Sequence, residues 1–307
     1  MSSLSSIPAP SANNADATRR LALARMLAER CPPDLAQTIM IIGSVSRGYA
    51  DSFSDIELCF LVNELQPIEF YRAWLRGIGG LVEQEEHAEW SDGCHTKSWH
   101  EGIFVEARFQ PASALDTRLN RILGAQIDDH WELTEAWHIA DAIPLRDDGW
   151  LAEWQKRLAG YPEALQAKLI EPILAAWARP HWWPASLANV WPLAERDARL
   201  ALANSLSWKI ECGLRVLFAS NMRWEPDYKW LAGESPRLTH APERLAERVN
   251  AVFSSSDARE SVVTCLEVLR DILAIVPVRY DVAQAQTQLA EVMDIHHLPP
   301  AREIERA

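Results

Sequence analysis

The stretch from Thr38 to Leu58 constrains the fold of this chain more than any other. Thr38-Ile39-Met40-Ile41-Ile42 is a short, almost wholly apolar run that stops at Gly43. That is the pattern of a strand covered on both faces, not of one alternating toward water. Gly43-Ser44-Val45-Ser46-Arg47-Gly48 reads as a turn entering a short helix, and a second strand follows from Asp55 to Val62. Glycine at such a junction allows a tight turn and a close approach by another group. Ser44 and the N–H groups after it are placed to hold phosphate oxygens, and Arg47 adds a donor of matching charge. Asp55 and Glu57 stand two apart, so they share one face of the strand while Ile56, Leu58 and Phe60 take the other. Two hard oxygen ligands beside a phosphate cradle describe a site for a Mg²⁺-bound nucleoside triphosphate.

Around this segment the first half alternates helices and strands. A helix from Ala17 to Arg30, capped by Asp16, precedes the buried strand, and a Pro-led helix spans Pro67 to Arg76. Leu81 to Ala88 and Gly102 to Phe109 read as strands around a polar connection from Trp90 to Glu101, with a further strand near Ala142 to Leu145. Beyond that, helical periodicity takes over: Trp150 to Leu158, Pro162 to Trp177, a long helix from Pro192 to Phe218, then Pro242 to Val249, Asp257 to Ile275 and Asp281 to Val292. The fold class expected is α+β, a small mixed sheet with helices followed by an all-α part. The divisions expected are a disordered tail over residues 1–17, a first domain over 18–148 and a helical domain over 149–307 that closes over the cleft.

Charge and cysteine usage bound the partners. Lys plus Arg is 30 and Asp plus Glu is 43, a net charge of −13. Such a surface repels a phosphate backbone, so no nucleic-acid partner is expected, and it suits a cationic small molecule or a basic protein. Cys31, Cys59, Cys94, Cys212 and Cys265 are scattered with no C-x-x-C pair, which reads as free thiols in a reducing cytosol. No apolar run reaches the ~20 residues of a membrane span, and the N-terminus has no cationic start with an apolar core, so a soluble, cytoplasmic protein is expected.

The Gly43-Ser44 turn followed by Asp55-Ile56-Glu57 resembles the signature of the DNA polymerase β-like nucleotidyltransferase superfamily, a Gly-Ser turn, a spacer and an Asp-x-Asp/Glu pair on a strand. The Asp-x-Glu form looks like that of the kanamycin-type aminoglycoside nucleotidyltransferases. The resemblance implies that Ser44 holds the triphosphate, that Asp55 and Glu57 bind Mg²⁺, and that a third carboxylate completes the metal site or acts as general base. Glu106, in Phe104-Val105-Glu106-Ala107-Arg108-Phe109, fits that third position, although the family more usually carries Asp there. Glu83, Glu85 and Glu86 compete for it from another expected strand. Leu214 to Arg223 and then Tyr228-Lys229-Trp230-Leu231 resemble the helical tail of aminoglycoside-nucleotidyltransferase-like proteins, in which a Lys reaches the triphosphate, the role this implies for Lys229. The activity implied is transfer of a nucleoside monophosphate, AMP from ATP or from another NTP its counterpart, to a hydroxyl of a small molecule. A protein-modifying enzyme of the antitoxin type and a nucleotide-binding regulatory protein with a silent site are the alternatives.

Other motifs lead nowhere comparable. Gly43 and Gly48 have P-loop spacing, but Tyr49-Ala50 replaces the Lys-Ser/Thr that binds phosphate and metal. The tryptophans, Trp177 and Trp182-Trp183 among them, are expected to pack helices together. His95 and His100 read as structural, and His296-His297 as a solvated chain end.

Overall fold

The computed structural model describes residues 14–82, 88–90, 92–127, 129–179 and 186–294. In chain order these form α1 (Ala15–Glu29), β1 (Ala36–Ile42), α2 (Gly43–Arg47), β2 (Ile56–Val62), α3 (Ile68–Gly77), β3 (Leu81–Val82), β4 (Ala88–Trp90), β5 (Gly93–His100), β6 (Ile103–Pro111), α4 (Ala112–Leu123), α5 (His130–Ala140), β7 (Ile143–Arg146) and α6 (Trp150–Leu158). The helices α7 (Glu163–Trp177), α8 (Val190–Glu195), α9 (Arg199–Ser220), α10 (Leu231–Glu234), α11 (Leu245–Ser254), α12 (Ala258–Leu273) and α13 (Ala283–Asp294) follow. The protein is α+β.

The strands make one mixed sheet in the order β3-β5-β6-β2-β1-β7, with β4 also paired to β5. Among the described residues only β2 and β6 run parallel; the other pairs are antiparallel. One face of the central strands is apolar. Ile56, Leu58, Phe60 and Val62 of β2 and Val105, Ala107 and Phe109 of β6 pack with Leu23, Leu27, Tyr71 and Leu75 of α1 and α3 in a single core. Phe109 stacks between Phe60 at 4.8 Å and Tyr71 at 3.9 Å between ring centroids, an offset aromatic arrangement that adds to simple burial. The opposite face mixes buried apolar residues, Met40, Ile42 and Leu61, with the charged residues Glu57, Glu106 and Arg108, and it carries the site.

Three local expectations are corrected. The first helix begins earlier: Asn14, not Asp16, is its cap, accepting from the N–H groups of Asp16 and Ala17, so Ala15 to Ala17 belong to the helix and not to a tail. The Asn14 carboxamide also donates to the carbonyls of Gly48 and Ala50, tying the helix start to the loop after α2. The supposed polar connection from Trp90 to Glu101 contains β5, whose buried side chains include Thr96, Ser98 and His100. Polar residues on the inward face hid its alternation. The long helix expected from Pro192 is two, α8 and α9, broken where Asp197 takes a left-handed backbone with φ of 48°.

The chain divides into two units, residues 1–162 with 226–233, and residues 163–225 with 234–307. The first runs past the break expected near residue 148 because α6 packs on α5, and it takes back the short segment holding Lys229. In the second unit, α12 packs on α9 and α11, and α7 packs on α9. A Cβ on Gly213 of α9 would lie 2.6 Å from Leu269 of α12, so glycine sets that close crossing. Trp177 is fully buried here as a packing residue; Trp182-Trp183 and His296-His297 lie outside the described residues.

Candidate active site

The charged rows of the sheet follow from register. Glu57 of β2 lies opposite Ile42 of β1 and Glu106 of β6, and Glu106 lies opposite Lys97 of β5. Paired residues on adjacent strands point to the same side, so Ile42, Glu57, Glu106 and Lys97 form one row across the sheet. The next row carries Cys59, Arg108 and His95. Asp55 lies one residue before β2 and is not a strand residue as expected, yet it remains close enough to Glu57 and Glu106 for their charges to couple.

Gly43 sits where β1 gives way to α2, with φ of 71°. A Cβ there would lie 1.6 Å from Glu57 Oε2. The left-handed φ is why this junction favours glycine, and the space a side chain would fill is taken by the Glu57 carboxylate, which a substitution would displace. Ser44 follows as a buried residue of α2.

Burial pushes the Glu57 carboxyl up to about 7, and the neighbouring Asp55 charge adds to that while Lys229 opposes it. Asp55 is raised for the same reasons, burial first and then Glu106. Glu106 behaves oppositely. A hydrogen bond from His95, at 2.8 Å between Nδ1 and Oε1, outweighs its burial and holds it below the ordinary carboxylate range. The ring tautomer consistent with this contact carries the proton on Nδ1. His95 thus has a structural role, as expected, in orienting a carboxylate of the site, and the β5 register, invisible in the sequence pattern, places it there.

Lys229 stands beside this pair. Its Nζ lies 3.1 Å from Asp227 Oδ2, and its side chain is 62% exposed. Burial works against its charge, but Asp227, Glu57 and Asp55 together raise its pKa. Arg47 is placed elsewhere, contrary to its expected phosphate role. Its guanidinium is buried, stacks 3.6 Å from the centroid of the Trp137 ring, donates to the Trp137 carbonyl and faces Asp141 at 3.5 Å. The physical reason is that the last turn of α5 brings the Trp137 ring and carbonyl, and Asp141 just after it, to the Arg47 side chain. Glu83, Glu85 and Glu86, the competitors of Glu106, lie outside the described residues.

A cavity of about 330 Å³ opens next to Glu57 and Gly43, with Arg108, Glu135 and Lys229 in its wall. Arg108 holds Glu135 of α5 through two contacts of 2.9 and 3.2 Å, and Arg118 extends this network to Asp92 at 2.9 Å. Sequence reading missed Arg108 and Glu135 because strand and helix meet only in the folded chain.

Two solved structures are similar to this chain at low levels. A nucleotidyltransferase-like protein from Exiguobacterium sibiricum is 11% identical, with 92% of this chain and 81% of that one covered, at a TM-score of 0.35. A structure of a GLD-2/RNP-8 complex is 13% identical, with 55% of this chain and 60% of that one covered, at a TM-score of 0.26. No family model and no curated protein matches the sequence. At such scores neither likeness bears on what the site does; its residues do.

The donor chemistry fits Mg²⁺. Asp55 and Glu57 offer hard oxygens; burial first, and the neighbouring carboxylate charge second, raises both pKa values, and a cation would favour their ionised forms. Their arrangement is incomplete, however. Among the described residues, no three Asp, Glu, His or Cys side chains converge as a metal site, and Glu106 is turned into its contact with His95. The pair Asp55/Glu57 therefore fits the ion, while Glu106 as placed does not complete its shell.

Proposed function

We propose that this chain is a nucleotidyltransferase that moves a nucleoside monophosphate, AMP from ATP, to a hydroxyl of a small molecule. The observation that carries this reading is the meeting of Asp55, Glu57 and Lys229 at the Gly43 turn, two largely buried carboxylates beside a cation suited to phosphate. Asp55 and Glu57 would hold Mg²⁺, which supplies charge neutralisation on the phosphates and leaving pyrophosphate. Lys229 and the Gly43-Ser44 backbone position the triphosphate so that its α-phosphorus faces the acceptor. The acceptor oxygen forms a bond to that phosphorus as the bond to the bridging oxygen of pyrophosphate breaks, and the hydroxyl proton passes to a base. Glu106 is a weak base because His95 holds its pKa down, so its stronger role is as a fixed negative charge beside the pair.

The contact between His95 and Glu106 favours one second reading, a protein that binds nucleotide without turning it over. The two separate in a thermal-shift panel of NTPs with and without Mg²⁺, followed by measurement of pyrophosphate release with candidate hydroxyl acceptors. Mg²⁺-dependent stabilisation with pyrophosphate release supports the enzyme, and stabilisation without release across the acceptors supports the silent site. Absence of any shift at millimolar Mg²⁺ removes both.

A further inference from the structure

The face of the sheet that carries the site continues outward past Glu106. Side chains alternate along a strand, so Phe104 stands on the same face of β6 as Glu106. Lys97 and Trp99 of β5 share that face, because Lys97 lies opposite Glu106 and Trp99 opposite Phe104. Leu81 of β3 lies opposite Trp99 in turn. Phe104, Trp99 and Leu81 therefore form an apolar row beside the row of Glu57, Glu106 and Lys97. The Phe104 and Trp99 ring centroids are 5.0 Å apart. Phe104 is half-buried, Trp99 is 41% exposed and Leu81 is 75% exposed. Contiguous apolar surface left open to water marks a place where an apolar ligand gains free energy by covering it.

The inner end of this row lies at the metal pair. Phe104 precedes Val105, the partner of Ile56, and Asp55 precedes Ile56, so one further step of the same register brings Phe104 alongside Asp55. The cavity that holds Lys229 reaches the carboxylates from the other direction, since Arg108 in its wall lies two residues after Glu106 and Phe104 lies two before. The carboxylate row thus has a phosphate-holding side and an apolar side. In-line transfer needs the leaving group and the acceptor on opposite sides of the phosphorus, and the apolar row is the side left to the acceptor. From β2 through β6 and β5 to β3 the row crosses three strand spacings, about 14 Å. Its charge does not favour a polycation. Glu106 is held by His95 at 2.8 Å and has Lys97 beside it, and Lys97 Nζ lies 6.0 Å from the Phe104 centroid.

We propose that Phe104, Trp99 and Leu81 are the acceptor platform, and that it takes a small molecule with a flat, uncharged apolar body whose hydroxyl end reaches the carboxylates. The word acceptor rests on the nucleotidyltransferase reading. The platform binds and orients, and it adds no chemical step to the transfer. The acidic surface as a whole pointed to a cationic acceptor; this face of the sheet points away from one.

The test uses the full-length protein. 2-Naphthaleneethanol, a flat apolar alcohol, is titrated calorimetrically without Mg²⁺ or nucleotide, so that a silent metal site cannot mask binding. Kanamycin, a polycationic polyol, and a neutral hexapeptide carrying one serine are titrated in parallel. The alcohol is expected to bind, about tenfold or more weakly in Trp99→Ser and severalfold more weakly in Leu81→Ser. Leu81 is exposed, so Leu81→Ser should keep the urea midpoint of the wild type, and its loss of affinity cannot come from misfolding. With Mg²⁺-ATP added, the alcohol should stimulate pyrophosphate release by the wild type. Binding that responds to both variants without pyrophosphate release supports the apolar site and overturns the transferase reading instead. Binding of kanamycin or of the peptide alone, no binding of the alcohol, or alcohol binding unchanged in both variants overturns the proposal.

Discussion

Glu57 occupies the space that a side chain on Gly43 would need: a Cβ on Gly43 would lie 1.6 Å from Glu57 Oε2. The glycine of the turn and the carboxylate of the neighbouring strand are thus one device, and the sequence separates them by a loop. Gly43→Ala should therefore do two things. It strains a backbone held at φ of 71° and it drives the carboxylate from its place, for a combined cost of about 2–4 kcal/mol. Urea unfolding of Gly43→Ala, Glu57→Ala and the double variant measures the coupling. Removing the carboxylate should recover part of the loss, with an interaction of about 1 kcal/mol or more. Strict additivity would place Glu57 away from Gly43.

The raised Glu57 pKa makes the metal-free protein sensitive to pH in an uncommon direction. An acid whose folded pKa is near 7, against an ordinary value of 4.5, binds its proton more tightly folded than unfolded. Its contribution is complete below the ordinary value and is lost as pH rises through the folded one. Wild-type protein in EDTA should lose stability between pH 5 and pH 8, by at most on the order of 3 kcal/mol from this group. Glu57→Gln should flatten that loss and be the more stable form at pH 8. Urea denaturation across this range checks it, and parallel curves for the two proteins would refute the assignment. Added Mg²⁺ should stabilise the wild type more at pH 8 than at pH 5, since the ion needs the ionised carboxylate.

Much of the fold was legible because it rests on strong local signals. The apolar run into Gly43 announced β1, and the apolar positions of Ile56, Leu58 and Phe60 announced β2 and its buried face. Elements whose burial is not apolar stayed hidden. β5 turns Thr96, Ser98 and His100 inward, so its pattern reads as a loop. The candidate site divides along the same line. Gly43, Asp55 and Glu57 lie within one local stretch, and the structure keeps them together. Glu106 needs the parallel pairing of β2 with β6, and its partner His95 needs β5. Arg47 looked like a phosphate donor because its neighbours in sequence are the turn, while its neighbours in space are Trp137 and Asp141.

That difference is measurable. Arg47→Met removes a buried guanidinium from an aromatic ring and from an anion 3.5 Å away. The loss expected is on the order of 2 kcal/mol, less than for a fully enclosed pair because Asp141 keeps some contact with water. Nucleotide affinity of the folded molecules should stay as in the wild type. Calorimetric titration of Mg²⁺-ATP into the variant decides this, and a large rise in Kd at unchanged stability would return Arg47 to the phosphate.

Asp55→Asn and Glu57→Gln keep shape and remove the negative charge that Mg²⁺ requires. Each should abolish metal-dependent turnover while leaving circular dichroism unchanged, and Glu57→Gln should do so despite its gain in stability at pH 8. Turnover that survives both changes would place the metal elsewhere. Glu106→Gln should have the smaller effect on metal affinity, because its carboxylate is directed to His95 at 2.8 Å.

Lys229 offers the sharpest separation between a surface residue and a ligand. It lies far from Asp55 and Glu57 in sequence, on a short turn after α9 that packs with the first unit. It is 62% exposed and contacts Asp227 at 3.1 Å. An exposed pair of that kind contributes little, within about 1 kcal/mol, so Lys229→Met should leave unfolding nearly unchanged. Its charge nonetheless reaches Glu57 and Asp55, which is why those acids and the lysine shift one another. If the ammonium exchanges Asp227 for a phosphate oxygen when nucleotide binds, the variant loses a charge-assisted contact. Mg²⁺-ATP should then bind about tenfold or more weakly, a loss of roughly 1.5–3 kcal/mol. Calorimetric titration of Mg²⁺-ATP into the variant measures this. Equal affinity for Mg²⁺-ATP in variant and wild type would leave Lys229 as the partner of Asp227 and nothing more.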